Sequence, residues 1–316
     1  MTRILVTGAL GQIGSELTTL LAGRYGKSSV VASDIREPQE PASGIEYVRL
    51  DVTDGEAIRR VLKEHDITDV FHLAAILSAA GERDPGRTFL VNSTGTYNIL
   101  EESLRHGTGK VVIPSTIGVF GPETPRDSTP DITITRPTTM YGITKVNAEM
   151  LSLYYRDRFD LDIRGLRFPG IISYLTPPSA GTTDYAVDMF YHAVRHRDYE
   201  CYLKEDTALP MMYMPDALNS LVRLFEADRS GLQHCLEYNV SAYSFTPAEL
   251  HRAIKAHFPE FSVTYRPDYR QAIADSWPRS LDTTFARKDW DFSPEFSLEA
   301  TVSDMISNLK RILAVA

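Results

Sequence analysis

The first 170 residues alternate short apolar runs with segments of helical periodicity, and this alternation leaves few folds open to the chain. The apolar runs predict strands at residues 3–6, 29–32, 47–50, 69–73, 110–113 and 162–166. The helical spacing predicts helices at residues 12–21, 56–63, 86–104 and 141–159. Strands and helices that alternate in this way form a parallel sheet with helices on both faces. The sequence therefore predicts an α/β fold with a doubly wound parallel sheet.

The pattern changes after residue 170, where prolines and aromatic residues are frequent and the elements are shorter. Helical spacing recurs near residues 185–196, 216–226 and 247–257. An apolar stripe on one helical face near the end of the chain predicts packing against the rest of the protein: Leu298, Val302, Met305, Ile306, Leu309 and Leu313. We expect a first domain of residues 1–170, whose sheet later segments complete. Residues 171–316 would form a smaller lobe that is interleaved with it and closes a cleft over the sheet.

Composition and charge exclude several classes of protein. The formal net charge of -9 argues against a binder of nucleic acids or of anionic membranes. Cys201 and Cys235 are the two cysteines, so neither a disulfide framework nor a cysteine-rich metal site is expected. No spacing of His, Cys and carboxylates resembles a zinc site, and no metal is predicted. The first strand begins at residue 3, which leaves no room for a signal peptide, and a cytoplasmic location is expected.

Three glycines follow the first predicted strand. Residues 4–14 read ILVTGALGQIG, which places Gly8, Gly11 and Gly14 at the turn into a helix. Glycines there let the turn bend sharply and let a pyrophosphate approach the backbone beside the positive end of the helix. Together with the strand before it and the helix after it, this spacing predicts a Rossmann-type dinucleotide site.

Asp34 closes the second predicted strand, 20 residues beyond Gly14. A carboxylate at this place accepts hydrogen bonds from the adenosine ribose and repels a 2′-phosphate, so NAD is the predicted cofactor. Arg36 keeps NADP open, because an arginine nearby can hold that phosphate.

Other strand ends supply further candidates for contact with the cofactor. These are Gln12, Ile13, Ile35, Asp51, Val52, Leu73, Ala74 and Ala75. Asp51 and Val52 lie where an adenine edge could be held, and the small residues after the fourth strand suit a backbone that runs against a cofactor. Ordinary packing at the ends of strands explains the same residues.

Residues 141–145 read YGITK and place Tyr141 and Lys145 on one helical face. A tyrosine needs roughly 4 kcal/mol to ionise at neutral pH, since its reference pKa is about 10. An ammonium about 5 Å away supplies about 3 kcal/mol at an effective dielectric constant near 20. With the positive ring of an oxidised nicotinamide added, Tyr141 could act as a general base, although a chance amphipathic pair would show the same spacing.

Two polar segments are candidates for contact with a substrate. Ser115 and Thr116 follow the fifth strand and would hydrogen-bond a reacting oxygen, or they are simply turn residues. Thr182, Thr183 and Asp184 follow a loop of prolines and glycine and precede an apolar helical stripe. They either cap that helix or hold a small polar ligand.

These motifs together resemble the extended short-chain dehydrogenase/reductase superfamily, whose members include nucleotide-sugar epimerases such as UDP-galactose 4-epimerase. The resemblance rests on the glycine turn, LAA at 73–75, Asn92, PSTIGVFG at 114–121, YGITK and RFPGI at 167–171. It implies catalytic roles for Tyr141, Lys145 and Thr116. It also implies that Asn92 supports the cofactor site and that Pro169 and Ile171 border the nicotinamide.

Within this superfamily the epimerases carry an arginine that grips the substrate's diphosphate. Leu209 stands in its place here, in LPMMYMPD. The stretches RFPGIISYLTPPSAGTTDYAVDMFY and LKEDTALPMMYMPDALNSL instead resemble the short-chain type of L-threonine 3-dehydrogenase. That resemblance implies oxidation of the β-hydroxyl of L-threonine by NAD, giving 2-amino-3-oxobutanoate and NADH, and the superfamily often dimerises through the Tyr141 helix.

The resemblance also assigns substrate contacts. Thr182 and Thr183 would face the carboxylate and Asp184 the ammonium, with Ser78 assisting from the cofactor side. Trp277 either closes the cleft or is an ordinary core residue. Two other functions stay open: a nucleotide-sugar epimerase, and a non-catalytic NAD sensor that has kept the fold.

Overall fold

The computed structural model describes residues 2–38, 44–177 and 181–313. In chain order the strands are β1 (Ile4–Thr7), β2 (Val30–Asp34), β3 (Glu46–Arg49), β4 (Asp69–His72), β5 (Lys110–Val112), β6 (Ser115–Thr116), β7 (Asp162–Arg164), β8 (Leu166–Phe168), β9 (Gly170–Ile172), β10 (Tyr199–Cys201), β11 (Leu209–Tyr213), β12 (Tyr238–Asn239), β13 (Tyr243–Phe245) and β14 (Val263–Tyr265). The helices are α1 (Gln12–Tyr25), α2 (Gly55–Glu64), α3 (Ser78–Gly81), α4 (Pro85–Phe89), α5 (Gly95–His106), α6 (Met140–Phe159), α7 (Tyr185–Val194), α8 (Met214–Glu226), α9 (Pro247–Lys255), α10 (Arg270–Asp275), α11 (Thr284–Trp290) and α12 (Leu298–Ile312).

A six-stranded parallel sheet forms the centre of the first part of the chain. Its strand order is β3-β2-β1-β4-β5-β7. The chain moves outward from β1 to β3 and then returns to place β4 on the other side of β1. In open sheets of this kind, ligands bind at the carboxyl ends of the two strands where the order reverses. The topology therefore points to the ends of β1 and β4.

Helices cover both faces of this sheet. Ile4 and Val6 of β1 pack on one face in a core shared with α1 and α8, whereas Leu5 packs on the other face with α2, α5 and α6. Successive side chains of a strand point to opposite faces, so near-continuous apolar strands are what a doubly covered sheet requires. The predicted doubly wound α/β fold is confirmed.

The helix predicted at residues 86–104 is interrupted. A π-helical turn at Leu90–Thr94 separates α4 from α5. Such a turn adds one residue to the ladder, and apolar periodicity over a window of this length does not reveal it. It carries Asn92, whose contacts are described below.

Segments after residue 170 contribute both to a second core and to the layers around the six-stranded sheet. A separate core joins α7, α9 and α12 to the sheet β13-β11-β9, and the predicted stripe of α12 lies in it, with Val302, Met305, Ile306 and Leu309 buried. α8 belongs to the helical layer on the first sheet, and β12 pairs with β8 in a three-stranded sheet with β6. In the part of the chain that the structure describes, no helix is long and apolar enough to cross a membrane.

Candidate active site

A cavity of about 210 Å³ lies at the carboxyl ends of β1 and β4 and extends to the segment before α7. The residues of its wall that the sequence singles out are Gly8, Gly11, Gln12, Ile13, Gly14, Leu73, Ala75, Ser78, Ser115, Thr116, Tyr141, Lys145, Pro169, Ile171, Thr182, Thr183, Asp184 and Trp277. The structure thus brings the predicted reacting groups, substrate contacts and glycine turn into one cavity. Asp34, Ile35, Arg36, Asp51, Val52, Ala74 and Asn92 are not part of this wall.

The glycine turn packs too closely against neighbouring backbone to accept side chains. Gly8 has a φ of +68°, and a Cβ there would lie 2.7 Å from the backbone nitrogen of Ala74. A Cβ on Gly14 would lie 2.1 Å from the carbonyl oxygen of Gly8. The amide of Gly11 donates to that same carbonyl at 3.0 Å, directly before α1 begins at Gln12. This packing fits a pyrophosphate at the amino end of α1.

Asp34 is held by an arginine two residues away. Its carboxylate accepts bonds from the backbone amide of Leu10 at 3.1 Å, and from the amide, Nε and Nη2 of Arg36 at 3.1, 3.0 and 3.2 Å. Burial raises the pKa of Asp34, but these bonds outweigh it and hold the pKa below its usual range. A carboxylate has about four acceptor sites. The four bonds to Asp34 use all of these sites. A ribose hydroxyl that binds Asp34 would therefore replace one of the two hydrogen bonds from the Arg36 guanidinium.

The predicted adenine contacts are used within the chain. Asp51 accepts bonds from the amide and hydroxyl of Thr53, and the carbonyl of Val52 accepts a bond from Asn98 Nδ2. The side chain of Val52 packs against Gly95 of α5. This is the packing at strand ends that the sequence left open, and contact with adenine stays a prediction.

Asn92 joins three parts of the site. Its Oδ1 accepts a bond from the amide of Ile76 at 2.8 Å, and its Nδ2 donates to the Ile76 carbonyl at 3.0 Å and to Thr144 Oγ1 at 3.1 Å. The π-helical turn thus fixes the segment after β4 against the helix that carries Tyr141.

Tyr141 and Lys145 lie in the first two turns of α6, which is capped by the hydroxyl of Thr139. Lys145 Nζ lies 6.0 Å from the centre of the Tyr141 ring and donates to the carbonyl of Pro114 at 2.7 Å. Both side chains line the cavity, as the spacing of four residues predicts.

Burial dominates the acid–base properties of this pair. It raises the pKa of Tyr141 to about 12, against an opposing hydrogen bond from Thr116. It lowers the pKa of Lys145 to about 8, against the opposing charge of Glu149. The protein's own groups therefore do not lower the pKa of the phenol to near neutral pH. Tyr141 needs a further positive charge to act as a base there.

Ser115 and Thr116 differ in what they can offer a substrate. Thr116 Oγ1 accepts a bond from the amide of Gly118 at 3.1 Å, which leaves its hydrogen for the Tyr141 oxygen. Ser115 donates its hydrogen to Glu149 Oε1 at 2.6 Å. Ser115 was expected to hydrogen-bond a reacting oxygen. With its hydrogen donated to Glu149, it can do so only as an acceptor.

Glu149 was not predicted from the sequence. It is buried one helical turn beyond Lys145, and both its oxygens accept bonds from Arg167 at 2.8 Å. The spacing of four residues from Lys145 was the available signal. The cavity wall also includes residues to which the sequence assigned no individual role: Leu77, Pro114, Ile117, Phe168, Gly170 and Gly181.

The polar segment before α7 faces the cavity. Thr182 Oγ1 is buried and has no hydrogen-bond partner among the described residues. Thr183 packs against Gly170, where a Cβ would lie 2.9 Å from the Thr183 Cβ. Asp184 precedes α7 without a side-chain cap bond to that helix, and its Oδ2 accepts a bond from the amide of Gly181 at 2.8 Å. These contacts favour ligand binding over helix capping.

A model of the NAD dependent epimerase/dehydratase family matches residues 4–241. The chain belongs to this family. The predicted superfamily and the predicted cofactor, NAD, are thereby confirmed.

Relatives in this family include named threonine dehydrogenases. The chain is 46% identical to mitochondrial L-threonine 3-dehydrogenase from Bos taurus over 308 residues, which cover 96% of this chain and 82% of that protein. It matches a holo structure of GalE-like L-threonine dehydrogenase from Cupriavidus necator with a TM-score of 0.95 and 45% identity, covering 98% of this chain and 100% of that one. A monomeric L-threonine 3-dehydrogenase from a metagenome gives a TM-score of 0.94 and 44% identity, covering 98% and 99%.

Proposed function

We propose that this family member is an NAD-dependent L-threonine 3-dehydrogenase, which oxidises the β-hydroxyl of L-threonine to give 2-amino-3-oxobutanoate and NADH. The observation that carries the proposal is one cavity that joins the Tyr141–Lys145 pair to the hydroxyls and carboxylate of residues 182–184. Relatives that cover nearly the whole chain at 44–46% identity carry the same activity in their names.

The roles of the side chains follow from their contacts. The phenolic oxygen of Tyr141 takes the proton of the substrate's β-hydroxyl. The hydroxyl of Thr116 donates to this phenolic oxygen and orients it. Lys145 stabilises the phenolate by its charge. Ser115 lines the cavity beside them and is proposed to contact the substrate through its oxygen, which can accept a bond because its own hydrogen is donated to Glu149. The chemistry that NAD supplies when bound is acceptance of a hydride from Cβ, and its positive ring adds to the field that favours the phenolate.

The other end of the cavity suits a small zwitterion. Thr182 and Thr183 would donate to the substrate carboxylate, and Asp184 would accept from the ammonium. Ser78 and Trp277 also line the wall and are proposed to position the substrate. We further propose that residues 1–170 form the NAD-binding domain and that residues 171–316 form a substrate-binding lobe interleaved with it.

An epimerase acting on nucleotide sugars fits less well. Leu209, in the place of the epimerase arginine, is fully buried in the core of the second lobe. A leucine offers neither a charge nor a hydrogen bond to a diphosphate at this position.

The test is a screen of L-threonine, D-threonine, L-serine and UDP-sugars with NAD and with NADP, followed by the absorbance of reduced nicotinamide. We expect reduced cofactor with L-threonine and NAD. D-threonine is the matched control, because it carries the same groups in a mirrored arrangement. Conversion of a UDP-sugar without reduced cofactor would replace the proposal by the epimerase, and NAD binding without any turnover would favour the sensor.

We propose that two copies associate through α5 and α6. Tyr97 on α5 and Ile143, Met150 and Tyr154 on α6 are large apolar side chains that are about half exposed. The three residues of α6 follow each other at seven and four positions, so they share one helical face. Burying such a face against its own copy would remove apolar surface from water.

The dimer is tested by the mass in solution of the wild type and of the double variant M150D/Y154D. We expect a dimer for the wild type and a monomer for the variant, because two charges would have to be buried on each side. Ile312→Asp is the control, since Ile312 is similarly exposed on α12. A monomeric wild type would contradict the proposal and place this chain with the monomeric relative.

The cytoplasmic location stays a proposal, and the Bos taurus relative is named a mitochondrial enzyme. Fractionation of the source cells, with markers for each compartment, tests it.

A further inference from the structure

Gly181 is held at both of its backbone polar groups. Its amide donates to Asp184 Oδ2 at 2.8 Å, and its carbonyl accepts bonds from the hydroxyl of Tyr202 at 3.0 Å and from the amide of Asp184 at 3.3 Å. A side chain here would displace the carboxylate of Asp184, because a Cβ would lie 2.7 Å from Asp184 Oδ1. The carbonyl of Gly181 belongs to the peptide unit that leads into Thr182. The orientation of this unit therefore decides where the Thr182 hydroxyl points.

Tyr202 is itself fixed from several sides. It follows β10 and is buried, with its ring edge against Tyr185 at the start of α7. The guanidinium carbon of Arg270 lies 3.1 Å from the centre of its ring. Arg270 binds both oxygens of Asp268, whose amide donates to the Tyr202 carbonyl at 3.2 Å. The phenol is thus a rigid donor with a defined position.

Arg270 also connects Tyr202 to another residue of the cavity wall. It is the first residue of α10, and the amide of Trp277 donates to Ala274 in the last turn of that helix. Trp277 and Thr182 both line the cavity. Tyr202 therefore links the two parts of the second lobe that face the site, although it does not line the cavity itself.

We propose that Tyr202 is a positioning residue for the substrate, which holds the Gly181–Thr182 peptide so that Thr182 and Asp184 face the cavity. This inference rests on the proposed function, since it concerns the binding of L-threonine. Tyr202 makes no step in the chemistry. Its loss should therefore weaken the binding of the amino acid and leave the binding of NAD and the hydride transfer nearly intact.

The variant Tyr202→Phe removes only the hydroxyl and keeps the ring contacts. We expect the KM for L-threonine to rise about three- to tenfold, the ratio that corresponds to loss of one hydrogen bond. The kcat at saturating threonine and the Kd for NAD should change by less than about twofold. Tyr191→Phe is the matched control, because its hydroxyl donates at 3.1 Å to a backbone carbonyl, that of Tyr174, which does not line the cavity.

A second variant changes the other contact of Gly181, the one with Asp184. Gly181→Ala must displace the carboxylate of Asp184 while Tyr202 stays unchanged, and it should also raise the KM for L-threonine. The wild type could be active while the Tyr202→Phe variant keeps its KM or loses only thermal stability. That result would overturn the positioning role of Tyr202 and leave the proposed function intact. A wild type that does not oxidise L-threonine would overturn both.

Discussion

Tyr141→Phe should lower threonine-dependent formation of NADH by about 10³-fold, the range expected when a general base is removed. The phenol is buried in the cavity, and it is the side chain placed to accept the substrate proton. In the variant Thr116 keeps its hydroxyl, but the base beside it is gone. Phenylalanine keeps the ring and therefore the packing. Binding of NAD, measured by titration calorimetry, should change little.

The control for this variant lies on the same helix. Tyr155 of α6 is also buried, but its hydroxyl donates to Glu101 at 2.7 Å, and neither residue lines the cavity. Tyr155→Phe should keep the rate of the wild type within a factor of about two, since it removes one hydrogen bond that no reacting group uses. Substantial activity in Tyr141→Phe would remove the base from the proposed mechanism.

Lys145→Met should reduce the rate and move the acidic limb of the pH–rate profile upward. Tyr141 is active when it is deprotonated, and burial already raises its pKa to about 12. Removing an ammonium near 6 Å at an effective dielectric constant of 20 raises that pKa further, by on the order of two units. The shift is therefore alkaline.

The pH–rate profile of the wild type should also depend on the ionisation of Lys145, which the variant lacks. The pKa of Lys145 is lowered to about 8, so its positive charge is present below that pH and is lost above it. The profile of the wild type should flatten as the pH rises through about 8, and this bend should be absent in Lys145→Met. Lys110→Met is the control, because Lys110 also donates to a backbone carbonyl, that of Phe225, on the sheet. An acidic limb that does not move in Lys145→Met would refute the electrostatic role of Lys145.

The predictable part of this molecule is local in sequence. Apolar runs gave the strands of the central sheet, and the glycine spacing gave the turn before α1. Tyr141 and Lys145 were predicted to share a cavity because four residues on a helix are one turn. In each case the relevant neighbours lie within a few residues of each other, so the pattern contains the geometry.

The rest depends on contacts between distant segments. Glu149 meets Arg167 across 18 residues, and Tyr202 meets Gly181 across 21. The pKa of Tyr141 could not be read from the spacing either, because burial raises it and burial is a property of the packed chain. The spacing predicted the positive charge near the phenol, but it could not predict the loss of water around it.

The pairing of Asp34 with Arg36 has a consequence for how this enzyme could change its coenzyme. One carboxylate restrains the guanidinium and is also the group proposed to bind the ribose. A neutral residue at position 34 would release this guanidinium, which lies two residues away. We expect such a substitution to weaken the preference for NAD over its phosphorylated form, with no new arginine required.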